Sequence, residues 1–87
     1  MLLRDLLPKE RQEIGENIGI KVVAVVEGSP AFYANVMRGD VVERVGDIGI
    51  RTQSDWHRAL SKYKGKTTTV IIWRDGKIIA AHITMGG

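Results

Sequence analysis

Eighty-seven residues, 44% of them hydrophobic, make one domain with one small core. The absence of cysteine excludes a disulfide framework, thiolate chemistry and a Cys-based zinc site. The net charge of +3 comes from basic residues interleaved with acidic ones (Arg4-Asp5, Lys9-Glu10-Arg11, Arg74-Asp75). This reads as a solvated mixed surface, whereas a nucleic-acid binder clusters its Lys and Arg on one face. No apolar run approaches the ~20 residues of a membrane-spanning helix, and Met1-Leu2-Leu3 is too short for a signal peptide.

Leu2 to Leu6 is a short apolar strand. Pro8 stands where a helix begins, Lys9 to Ile14 continues it, and Gly15 ends it; Leu7 is a poor cap. After a loop at Gly15-Glu16-Asn17, Ile20 to Val26 is a Val-rich run that reads as a strand covered on both faces. Gly28-Ser29-Pro30-Ala31 then supplies a turn glycine, a hydroxyl cap and a proline suited to a first helical turn. The short helix it opens runs from Ala31 to Asn35. Gly39-Asp40 is the next turn, with Asp40 expected to bond backbone N–H groups rather than to act as an acid. Val41 to Val45 is a strand, and Gly46-Asp47 starts another turn.

The second, longer helix is capped by Thr52, with Asp55 at its third position as a shortened capping box. Trp56, Ala59, Leu60 and Tyr63 follow at i, i+3, i+4, i+7, an apolar stripe for a core, and Gly65 ends the helix. Thr67 to Trp73 and Lys77 to Thr84 form a hairpin around Asp75-Gly76, the pair that a type I′ turn prefers. That turn predicts the pairs Ile72 with Ile79, Val70 with Ala81 and Thr68 with Ile83 on one face. Trp73 with Ile78 and Ile71 with Ala80 share the other. A slip of one residue exchanges the faces.

No catalytic set emerges. His57 and His82 have no second histidine or carboxylate at a metal-ligand spacing, so no metal or cofactor is expected. Ser29 and Ser54 stand at helix starts, where a hydroxyl has a capping use. The glycines form neither a Walker loop nor a dinucleotide fingerprint.

Five fragments in order carry a resemblance: Gly19-Ile20-Lys21-Val22, Gly28-Ser29-Pro30-Ala31, Gly39-Asp40-Val41-Val42, Ser54-Asp55-Trp56 with Ala59-Leu60, and Arg74-Asp75-Gly76-Lys77. Together they resemble a PDZ domain of the bacterial kind, found in HtrA-type serine proteases, site-2 metalloproteases and C-terminal processing proteases. The resemblance covers residues 5 to 84 or so. It implies an α+β fold, a partly open antiparallel β-sandwich of five or six strands capped by two helices. It also implies binding of an extended or C-terminal peptide as an added strand, beside a helix, with no catalysis by the domain itself. A linked protease is the implied partner, and the periplasm or another extracytoplasmic face the implied compartment.

Asn17-Ile18-Gly19-Ile20 looks like the family's Gly-Leu-Gly-Phe carboxylate loop, but only one strand fits between Ile20 and Gly28. Ile20 to Val26 is therefore the return strand, and Leu2 to Leu6 the edge. On this alignment the carboxylate loop falls at or just before Met1, so the sequence is expected to start inside it, either by excision from a larger protein or because the parent does without one. The resemblance assigns peptide binding to Met1, Leu2, Leu3 and Arg4 on the edge strand. On the helix it assigns Gln53, His57 and Leu60, at i, i+4 and i+7. Leu2, Leu3, His57 and Leu60 are expected to line an apolar pocket. Gln53 and His57 read equally well as exposed polar residues, whereas Leu60 and Trp56 read first as core and only second as groove. Many eukaryotic members have His where this sequence has Gln53, so their preference for Ser or Thr near the ligand's end does not carry over. Trp73 and Ile78 form an exposed patch or pack under the rest of a parent protein. Two other roles fit the same sequence: a docking module of a secretion or envelope complex, and a steric filter before a membrane protease.

Overall fold

The computed structural model describes residues 1–85. In chain order the elements are β1 (Leu2–Asp5), α1 (Pro8–Ile14), β2 (Ile20–Ala24), α2 (Pro30–Tyr33), β3 (Val41–Val45), β4 (Ile48–Gly49), α3 (Gln53–Lys62), β5 (Thr67–Arg74) and β6 (Lys77–Thr84). The six strands form one antiparallel sheet in the order β1-β2-β3-β5-β6, with β4 paired to β3 off this path. Two helices of seven or more residues and the four-residue α2 complete an α+β, PDZ-like architecture. β1 and β6 are its edges.

The local chemistry accounts for the elements. The Ser29 hydroxyl accepts from the Phe32 N–H at 3.2 Å and caps α2, with Pro30 in the first turn. Gly28 (φ 81°) and Gly39 (φ 94°) take the left-handed backbone on either side of it, where a side chain is strained. The helix stops two residues earlier than expected because Asn35 also adopts a left-handed conformation, φ 65°. Thr52 caps α3 by accepting from the Asp55 N–H. Asp55 reaches back one residue beyond the cap, to the Arg51 N–H at 3.0 Å. Ser54, one residue inside the helix, is exposed and is not the cap.

The hairpin has the expected register throughout. Ile72 pairs with Ile79, Val70 with Ala81, Thr68 with Ile83, Trp73 with Ile78 and Ile71 with Ala80. Asp75 (φ 50°) and Gly76 (φ 79°) both have the positive φ of a type I′ loop. The core gathers Leu3, Ile20, Val22, Val42, Val45, Ile50, Val70, Ile72 and Ile83 from the strands and from the segment before α3. Trp56 and Ala59 of α3 pack on them.

Four expectations need correction. β2 ends at Ala24 and is fully covered on one face only: Ile20 and Val22 are buried, while Val26 beyond it is 65% exposed. In this antiparallel strand only alternate residues are fully buried, and Lys21 and Val23 on the other face are half-buried. The turn at Gly46-Asp47 leads into a two-residue strand, β4, which the sequence pattern does not reveal. The interleaved charges are not all solvated. Arg4, Glu10 and Lys21 form a clamp between β1, α1 and β2, and Arg74 pairs with the buried Asp40. Finally, Ile78 is exposed as one reading had it, but Trp73 beside it is half-buried.

Candidate functional site

β1 is hydrogen-bonded to β2 along one side only. Leu2 pairs with Ala24 and Leu3 with Val22, so Val23 is an extra residue on β2 and the two-residue alternation of β1 is unbroken. Leu3 sends its side chain into the core, and Leu2 is 63% exposed on the opposite face. Arg4 turns to Glu10 of α1, donating from Nη1 at 2.8 Å and Nη2 at 2.9 Å.

The other side of β1 faces the N-terminal end of α3. The Gln53 side-chain amide donates to the Leu3 carbonyl, and the Gln53 backbone N–H donates to Asp5 Oδ1 at 3.0 Å. The Leu3 carbonyl therefore points away from β2 and toward the helix. By alternation the backbone groups of Met1 and Asp5 point the same way.

At the Met1 end the space opens into a cavity of about 220 Å³. Met1 lines it, with Trp56 and Leu60 from α3, Pro30 and Ala31 from α2, Ile83 from β6 and Met85 just beyond it. Ser29 and Thr84 give its rim hydroxyls. The remaining walls are apolar, so the cavity suits an aliphatic or aromatic side chain, whose burial is worth about 1.5–3 kcal/mol.

The far end of α3 is fixed to the β3–β4 turn. The Tyr63 hydroxyl donates to Asp47 Oδ1, and Lys62 Nζ donates to both Asp47 oxygens at 3.0 and 2.9 Å. The Tyr63 hydrogen bond and then the Lys62 ammonium lower the Asp47 pKa to about 2. α3 is thus held at both ends, at a set spacing from β1.

Of the residues that sequence reasoning assigned, the structure brings Met1 and Leu60 together at the cavity, and Gln53 against Leu3 on the strand. It does not bring Leu2 or His57 to the cavity. His57 is exposed on α3, and Leu2 points to solvent. Leu3 contributes backbone to the edge while its side chain is buried, whereas the Arg4 backbone faces β2 and its side chain is engaged with Glu10. Sequence reasoning missed the walls from α2 and β6, and it missed Asp5. The helix stripe did signal Trp56, which is buried in the core and also lines the cavity. Nothing in the linear order of residues says that residue 85 meets residue 1.

No group of three or more His, Asp or Glu side chains with metal-binding geometry exists among the described residues. His82 on β6 shares a hydrogen bond with the Thr69 hydroxyl through Nδ1, at 3.2 Å. None of the described helices is long and apolar enough to cross a membrane.

Residues 4–85 match the family model of the PDZ domain. The serine protease Do-like HtrA of Lactococcus lactis subsp. cremoris is 34% identical over 68 residues, which are 77% of this chain and 17% of the relative. A putative zinc metalloprotease of Staphylococcus aureus is 35% identical over 63 residues, 72% of this chain and 15% of that protein. The chain thus spans about a sixth of the length of these curated relatives. Among solved structures, the HtrA-type protease AlgW variant with a decapeptide superposes with a TM-score of 0.85 at 18% identity, over 98% of this chain and 27% of that one. The HtrA3 PDZ domain bound to the phage-derived ligand FGRWV superposes with a TM-score of 0.82 at 19% identity, over 97% of this chain and 79% of that one. The chain belongs to the PDZ domain family, in its bacterial form, and is homologous to the PDZ domains of HtrA proteases and of a zinc metalloprotease.

Proposed function

We propose that this domain binds the end of an extended polypeptide by strand addition to β1, as the recognition or regulatory module of a bacterial protease. One observation carries this reading: the unpaired side of β1 runs directly into an apolar cavity. A strand added antiparallel to β1 has its C-terminus opposite Met1, so its last side chain enters that cavity. Main-chain hydrogen bonds to the edge supply affinity, and the cavity selects an apolar last residue. Gln53, His57 and Leu60 flank the ligand from the helix, with Leu60 nearest its end and His57 in contact with residues upstream. The peptides bound in the similar AlgW and HtrA3 structures support a peptide ligand, and the two curated relatives support a protease as the linked domain.

The test is an NMR titration with peptides ending in Val, Leu, Ala or Lys, each as free acid and as amide. The amides of residues 2–5 and of α3 are expected to shift, with affinity highest for Val and Leu. Shifts confined to other surfaces, or none at millimolar peptide, count against strand addition. A second measurement concerns His57. Because its side chain is exposed, H57E is expected to leave the unfolding midpoint unchanged while shifting preference toward basic residues upstream of the ligand's end. A folded H57E with an unchanged preference profile removes His57 from the groove.

A further inference from the structure

Strand addition needs free donors and acceptors along the edge, and two carbonyls of β1 are already in use: that of Asp5 accepts from Arg4 Nη1 at 3.0 Å, and that of Leu3 is held from the helix. The groove-facing backbone groups belong to Met1, Leu3 and Asp5, and the Leu3 carbonyl accepts from the Gln53 side-chain amide. The bond is anchored at its base, because the Gln53 backbone N–H is itself held by Asp5 Oδ1 at 3.0 Å. Both contacts lie at the helix N-terminal end of the groove, and the cavity lies at the other end, by Met1 and Leu60. Gln53 is half-buried, so its side chain is packed in place rather than free in solvent.

A ligand residue seated opposite Met1 meets open backbone groups. A residue seated opposite Leu3 meets a carbonyl that Gln53 occupies. We propose that Gln53 is a specificity-determining residue that limits how far a ligand zips along β1. Building on the strand-addition reading, the groove takes the last two residues of a chain terminus freely, while any longer extended segment must first displace the Gln53 amide. The favoured ligand class is then a chain end with an apolar last residue, read shallowly, rather than an internal extended segment. Gln53 suits this role because its carboxamide carries two donors, so it satisfies the carbonyl as well as a ligand N–H does.

The test compares two probes, acetyl-Leu-Val and acetyl-Ala-Ala-Ala-Ala-Leu-Val, on wild type, Q53A and Q53E by NMR titration. The alanines add main chain with little side-chain contact. Glu in place of Gln53 keeps the stem and suits a helix N-terminus, but its carboxylate cannot donate to the carbonyl. In both variants the hexapeptide is expected to bind about fivefold tighter than to wild type, the worth of one net hydrogen bond. The short probe, which ends before Gln53, is expected to change by less than the hexapeptide does. A merely structural role weakens or leaves both probes alike, and that result overturns the proposal while the groove reading stands. A hexapeptide that already binds wild type as tightly as it binds the variants overturns it in the same way. Silence of both probes on all three proteins overturns the proposal and the groove reading together.

Discussion

Asp40 follows a turn glycine, and the sequence alone places it as a local acceptor for backbone N–H groups. It does accept from the Met37 N–H at 2.8 Å, so that part of its role was legible. The larger part was not, because its partner is 34 residues away. Arg74 donates from Nε to Oδ1 and from Nη2 to Oδ2, both at 2.7 Å, and Nη2 also reaches the Asn35 carbonyl at 2.9 Å. Asp40 is 1% exposed, so removing the guanidinium strands a charge away from water. R74A is therefore expected to cost about 3 kcal/mol in urea unfolding, and R74K to restore little, since an ammonium cannot make the paired fork. The double variant D40A/R74A is expected to cost less than the sum of the single ones, because no buried charge is left alone. Glu43 shows the opposite economy. It is 8% exposed and sits where the β3–β5 register slips. Burial, and then the nearby Glu16 carboxylate, raise its pKa above the ordinary 4.5. Its charge therefore opposes folding at pH values above the raised pKa, and this penalty fades to nothing below the unfolded value. E43Q is expected to raise the thermal midpoint at pH 7 and to leave it unchanged at pH 3.

At the scale of the element, local rules were most readable where one short motif decides the geometry. Asp75-Gly76 fixed the hairpin register over all eight pairs, since a two-residue loop admits one register and the alternation of apolar residues agrees with it. Helix α3 was legible for the same reason: cap, acid and stripe all point one way. β4 was not, because two residues carry no period. The walls of the cavity were half legible. Leu60 lies on a helix face that spacing defines, but α2 and the end of β6 reach the cavity only through sheet order, which no local pattern encodes. α1 is the element whose local signals conflict. Its cap is Leu7, which has no acceptor, yet the other half of a capping box is present, with Glu10 accepting from the Leu7 N–H at 2.8 Å. L7S supplies the missing acceptor for the Glu10 N–H, and Leu7 is 57% exposed, so little apolar burial is lost. We expect a gain of about 0.5–1 kcal/mol in unfolding free energy at pH 7.

Across the whole molecule, the elements are not held with equal strength. α3 is fastened at both ends and buries Trp56 and Ala59, whereas α1 buries no residue. What holds α1 to the sheet is polar. Glu10 binds Arg4 of β1 at 2.8 Å and Lys21 of β2 at 3.0 Å, and Arg11 donates to the Arg51 carbonyl at 3.0 Å. The Arg4 hydrogen bonds, with help from the Leu7 N–H and Lys21, hold the Glu10 carboxyl well below the usual carboxylate range. A depressed carboxylate pKa contributes stability that is complete above the unfolded value of 4.5 and is lost as pH falls toward the folded one. The clamp therefore weakens below about pH 4.5, and α1 is the first element to open, ahead of the core strands. Hydrogen exchange measured between pH 6 and pH 3, corrected for intrinsic rates, is expected to show the amides of α1 losing protection while those of β3 and β5 keep theirs. E10Q is expected to show the acid pattern already at pH 6, with stability lower by about 1–2 kcal/mol, because a neutral amide neither pairs with Arg4 and Lys21 as strongly nor titrates. The two curves then meet at low pH, where the wild-type carboxyl is protonated. Protection of α1 that is independent of pH in the wild type, or equal in the two proteins at pH 6, assigns its hold on the sheet to something other than Glu10. Because Arg4 and the edge backbone of Leu3 are neighbours on β1, the same acid step is expected to loosen the strand to which a ligand adds, so that peptide affinity falls together with α1 protection.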